Sequence, residues 1–122
     1  MKKLRLIAAV LLALPLIAFG AGYLAGQVPV MDAEGPGVEI LKSMREGGLM
    51  TFISLSHVIV GVLLLVPRTR FAGALTQLPL SLGILAFHAT LLPEGLAPAV
   101  VMVVLNLLVL ADAPRVQKLL GE

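Results

Sequence analysis

Two histidines, His57 and His88, are the side chains of this chain best suited to chemistry near neutral pH. Imidazole exchanges a proton in that range, so either could bind a ligand or handle a proton. Both lie in long apolar runs, beside a small set of polar groups. Thr51, Ser54 and Ser56 accompany His57; Gln77, Ser81 and Thr90 accompany His88; Asn106 stands alone in a later run. Gln77, Ser81 and His88 follow one another at intervals of four and seven residues, which puts them on one stripe of a helix. Ser54, His57 and Gly61 form a second stripe. The candidate ligand-binding set is therefore His88, His57, Ser54, Gln77, Ser81 and Asn106. For the serines, Thr51 and Asn106, helix–helix hydrogen bonding is the plainer role. For His57 it is a neutral ring satisfied by Asn106 or a serine.

Other chemistries lack their residues. There is no cysteine, hence no disulfide, thiolate metal site, iron–sulfur cluster or thiol relay. Two histidines without a third ligand make a poor zinc site. No phosphate loop, nucleophile elbow or metalloprotease motif occurs, so no catalytic residue and no metal is assigned. The formal charge of +2 comes without a basic helix or basic–aromatic stretch, which argues against nucleic acid as partner.

The elements that position these residues follow from hydropathy. Of the 122 residues, 59% are hydrophobic and only 13% charged, against about 25% charged in soluble domains. Apolar runs at about 4–26, 48–66, 71–92 and 96–111 are read as membrane spans, since roughly 20 such residues cross a bilayer. The expected fold is all-α: one domain over residues 1–122, a four-helix transmembrane up-down bundle. Val66-Pro67-Arg68-Thr69-Arg70 and Leu92-Pro93-Glu94-Gly95 are short, proline-marked connections between antiparallel neighbours. The longer loop, about Gln27 to Gly47, opens irregularly and then alternates Val38, Ile40, Leu41 and Met44 with charges. That predicts a short amphipathic interfacial helix, acting as a cap or a lid, with Gly47-Gly48 as a hinge. Gly22 and Gly26 are spaced for close helix packing.

Seven of the nine basic residues fall at one end of these spans. The positive-inside rule then makes that end cytoplasmic, with both termini there, in an inner membrane. Lys2-Lys3-Leu4-Arg5 before an apolar run also resembles a secretory signal, with Ala18-Phe19-Gly20 as a cleavage site. The run is longer than the usual signal core of about 7–15 residues, so retention as a span is expected. At about 1.5 Å per residue, His57 and Asn106 come to similar depth and are expected to pair. His88 lies roughly 6 Å from the outer end, near the acidic loop. The resulting offset of about 8 Å between the histidines disfavours shared haem ligation.

The stretch from Gly61 to Leu108 resembles the DoxX-like family of small membrane proteins. The resemblance is carried chiefly by Ala86-Phe87-His88 followed by Leu92-Pro93-Glu94-Gly95, with Arg70, Pro79 and Asn106, and Leu4 through Gly22 is similar too. It implies a four-helix membrane bundle associated with respiratory or sulfur redox chemistry. An apolar bundle with few convergent polar groups fits a prenyl-tailed ligand, so the expected ligand is a quinone or a lipid in a pocket near His88. His88 matches within the motif. His57 matches only by position, where such proteins often carry glutamate. The expected function is an accessory or partner subunit of a quinone-linked membrane redox system, in contact with lipid, partner subunits or further copies of itself. The rivals are a structural membrane protein without a ligand and a small transporter. Small multidrug transporters rely on a glutamate in the first span, and this chain has no acidic residue there.

Overall fold

Backbone groups in hydrocarbon must bond within their own segment, which favours helix wherever the chain is continuously apolar. The computed structural model, which describes residues 2–30 and 32–121, follows that rule and contains no strand among them. Helix α1 spans Lys2–Leu24, α2 Pro36–Glu46, α3 Leu49–Leu65, α4 Arg70–Thr90, α5 Leu96–Leu110 and α6 Ala113–Leu119. A 3-10 turn at Pro93–Gly95 joins α4 to α5.

By length and hydropathy, α1, α4 and the unit of the 3-10 turn with α5 can each cross a membrane. Helix α3 has 17 residues and joins α2 through a bend of 82°, a pair that counts as a fourth candidate span. The protein is thus a small multi-pass membrane protein with three to four candidate spans packed as a bundle. The bend falls where the hinge was expected: Gly48 takes φ +85°, a left-handed conformation natural to glycine. The amphipathic α2 forms as expected and sets Gly37 and Val38 inward, while Ile40 stays exposed. Arg45 pins it by donating to the Val28 carbonyl at 3.1 Å, with its guanidinium 5.0 Å above the Tyr23 ring. The short α6 was not anticipated; its charged residues Arg115 and Lys118 had marked only the end of the last span.

Around the bundle, α1 packs on α3 and α5, and α4 packs on α3 and α5. Helices α3 and α5 therefore sit on a diagonal. The shared core is made of small and branched residues, among them Ala9, Ala13, Leu16, Val60, Leu64 and Ala74. Large apolar side chains instead point outward: Phe52 is 68% exposed, Ile59 52% and Val104 50%. All five of Ser54, His57, Gln77, Ser81 and Asn106 are buried. Polar groups inside and large apolar groups outside is an arrangement stable in lipid and costly in water.

Helices α1 and α3 approach closely. A methyl group at Gly20 would lie 2.5 Å from the Ser54 carbonyl oxygen, and one at Gly61 would overlap Ile17. The expected packing pair, Gly22 and Gly26, does something else. Gly26 has φ +75° just beyond the end of α1, where the Gln27 amide donates to the Gly22 carbonyl at 2.8 Å and the Gly26 amide to Tyr23 at 3.0 Å. That is a Schellman cap, in which glycine reverses the chain and covers carbonyls left over at the helix end.

Candidate functional site: the buried polar side chains

The candidate residues separate into three places. The first is the α4–α5 interface. Ser81 donates to the Asn106 side-chain carbonyl at 2.8 Å, Asn106 donates to the Ala74 carbonyl at 2.9 Å, and Gln77 donates to Ser81 at 3.3 Å. Helical spacing delivers this chain, because Ala74, Gln77 and Ser81 lie on one face of α4 and Asn106 meets it from α5. Its partners lie in a low-dielectric interior, where the Ser81 and Asn106 bonds hold two helices in one register while Gln77 Oε1 stays unpaired.

The second place is the α3 side of the interior. His57 is only 4% exposed, and its imidazole meets Phe19 of α1 edge-on at a centroid distance of 6.3 Å. Ser54 is sealed beneath Gly20. The expected His57–Asn106 pair does not form. Their helices sit diagonally, and the Asn106 amide is bonded to α4 on both sides. Four buried side-chain polar atoms lack a hydrogen-bond partner among the described residues: Ser54 Oγ, His57 Nδ1 and Gln77 Oε1 in the interior, and Arg5 Nε at one end of the bundle. Gly73 packs against Leu63 on the neighbouring helix, and in antiparallel register this brings Gln77 within about one turn, ~5 Å, of the His57 level.

The third place is the turn after α4. His88 is half-buried, its Nδ1 lies 3.0 Å from the Leu92 carbonyl, and its ring packs directly on Gly95, where a Cβ would collide with it. Phe87 stacks on it edge-on at 5.3 Å. The structure therefore brings Gln77, Ser81 and Asn106 into one bonded group, sets Ser54 and His57 against α1, and leaves His88 at the α4–α5 turn. Thr90 donates back to the Ala86 carbonyl, a local closure common for threonine in spans.

Cavities open at both ends of the bundle, and none of the six candidates lines either of these. One, of about 260 Å³, lies under α2 and is largely apolar, with Phe19, Tyr23, Val38, Leu41 and Met50 on its walls. The other, of about 370 Å³, lies at the opposite end among Lys2, Arg5, Arg70, Asp112 and Arg115. This basic cluster entered the sequence reading only as a marker of membrane side. Its convergence needs residues from the first and last tenths of the chain, which no local spacing signals. Among the described residues, no group of three or more histidine, cysteine or acidic side chains is placed to hold a metal ion.

Compared with known proteins, the chain matches no family model, no curated protein and no solved structure. The DoxX-like resemblance accordingly rests on the residues quoted for it. In the structure its main element, Ala86 to Gly95, ends α4 and forms the turn into α5, where His88 bonds to Leu92 and packs on Gly95.

Proposed function

We propose that this protein is a non-catalytic accessory subunit of a membrane redox system of the quinone-linked kind. The observation that supports the non-catalytic part is the Gln77–Ser81–Asn106–Ala74 chain of hydrogen bonds, which engages Ser81 and Asn106 in tying α4 to α5. The described acidic residues lie in loops, in α2 or in the Pro93–Gly95 turn, so the four long apolar helices α1, α3, α4 and α5 carry no carboxylate of the kind proton-coupled carriers use. That argues against the transporter reading. The redox assignment rests on the Ala86–Gly95 resemblance alone.

Within this reading, the quinone oxygens would accept from Ser54 Oγ and His57 Nδ1, and Gln77 Oε1, an acceptor, would take the hydroxyl proton of the reduced quinol. Phe19 stands between His57 and the apolar cavity under α2, where a prenyl tail would lie. His88 is the second candidate, although its Nδ1 is already engaged at Leu92. The membrane is an inner membrane with both chain ends cytoplasmic, because the basic residues gather at that end of the bundle.

The test extracts the protein from its native membrane in mild detergent. Quinone is then measured in the lipid extract by its absorbance change on reduction. Wild type, His57→Leu and His88→Ala are compared. Quinone with wild type that is lost in His57→Leu supports the site among Ser54, His57 and Gln77, whereas loss only in His88→Ala moves it to the turn. No quinone and no heteromeric complex in native mass spectrometry would sink the accessory-subunit reading and favour a structural membrane protein.

A further inference from the structure

We propose that the basic cavity at the end of the bundle binds the phosphate headgroup of an anionic phospholipid. Four cations, Lys2, Arg5, Arg70 and Arg115, line it against one carboxylate, Asp112. They arrive from separate parts of the chain: the start of α1, the start of α4 and the α5–α6 junction. Like charges brought together in this way repel one another unless an anion joins them.

The site is also built. Arg5 donates from Nη1 to Asp112 Oδ2 at 2.6 Å, and Arg115 Nε stands 3.6 Å from the same oxygen. Arg70 is fixed by donating to the Leu64 carbonyl at 2.8 Å and the Leu65 carbonyl at 3.3 Å. These anchors hold the guanidinium groups but do not exhaust their donors. Arg5 Nε is shielded from solvent and has no partner among the described residues. A guanidinium presents five donors in a planar fork that matches phosphate oxygens. A headgroup phosphate would supply the acceptors that Asp112 alone does not.

Position selects lipid over a free anion. The cavity lies where the apolar helices end, which is headgroup depth in a bilayer, and basic pockets between spans at that level hold anionic headgroups. Phe71 and the exposed Leu6 form part of its wall, so an acyl chain can continue from the phosphate along α1. Free phosphate gains nothing from those side chains. The inference depends on neither a redox partner nor a quinone.

The experiment is native mass spectrometry of the full chain titrated with phosphatidylglycerol or with phosphatidylcholine of identical acyl chains. Wild type is compared with the double variant Lys2→Gln/Arg115→Gln, which removes two exposed cations and keeps the Arg5–Asp112 pair. Wild type is expected to retain the anionic lipid preferentially, and the double variant to lose on the order of twenty-fold in that retention, about fivefold per cation. Inorganic phosphate, added in excess, should not displace the lipid. Equal retention of both lipids by wild type, or unchanged retention by the double variant, overturns the proposal. Displacement by inorganic phosphate also overturns it, identifying a free-anion site instead. Circular dichroism reports whether the variant folds. If it does not, salt titration of wild type decides: selective retention must weaken as salt rises, and indifference to salt overturns the site.

Discussion

Asn106 shows how much one amide can do in a lipid-facing bundle. It is fully buried, accepts from Ser81 and donates to the Ala74 carbonyl, so both ends of the side chain tie α5 to α4. Replacing it with leucine removes both bonds and leaves Ser81 and Ala74 to find other partners. We expect Asn106→Leu to lower unfolding stability by about 1–2 kcal/mol, the sum of two interhelical bonds of the usual strength in membranes. Steric-trapping or denaturant unfolding in detergent measures it, and an unchanged stability would show that the network contributes nothing net. The stripe of Gln77 and Ser81 was legible from spacing alone. Which residue answers it was not, because a spacing rule describes one helix and a hydrogen bond needs two.

Small residues govern the elements. Helices in lipid gain little from hiding apolar surface, so their association depends on close van der Waals contact. Gly20 and Gly61 allow that contact between α1 and α3, with the Ser54 carbonyl and Ile17 directly opposite them. Gly20→Val places methyl groups into the Ser54 backbone and should cost about 1–3 kcal/mol through overpacking. The same unfolding measurement checks it, and Gly22→Val serves as control, since a methyl at Gly22 meets nothing closer than 3.9 Å. Equal losses in the two variants would refute the α1–α3 contact. Four glycine positions look alike in the sequence near the end of α1 and in α3. Only the backbone shows that Gly26 caps, at φ +75°, while Gly20 packs.

For the whole molecule, the charge pattern predicts one orientation and one acid-sensitive fastening. The chain has no cysteine, so single cysteines can be introduced cleanly at Glu34 and at Gly121. A membrane-impermeant thiol reagent applied to intact cells should label the Glu34→Cys variant and spare Gly121→Cys; the reverse pattern would invert the assigned topology. The fastening is Asp112, whose carboxyl is held below the usual carboxylate range, first by the hydrogen bond from Arg5. A carboxyl with a depressed folded value adds stability above its unfolded pKa of about 3.9 and loses it as pH falls through the folded value. The melting temperature of wild type should therefore fall between about pH 5 and pH 3, and fall less in Asp112→Asn. Parallel acid curves for the two proteins would assign the sensitivity to other groups. Arg5 and Asp112 are 107 residues apart, and their bond joins the start of α1 to the end of α5.

The sequence alone determined the all-helical character, the positions of the apolar runs, the amphipathic α2 and the bend at Gly48. Each of these depends on local physics: hydropathy summed over a helix length, a periodicity of 3.6 residues, or a glycine free to turn left-handed. Depth was local too, and it placed His57 level with Asn106. The tertiary structure alone decided which helices are neighbours. With α3 and α5 on a diagonal, equal expected depth does not make contact, so Asn106 bonds to α4 while His57 turns to Phe19. Helix adjacency follows from how small residues such as Gly20, Gly61 and Gly73 let particular faces approach, and that depends on all the spans at once. The convergence of Lys2, Arg5, Arg70 and Arg115 on one cavity has the same origin.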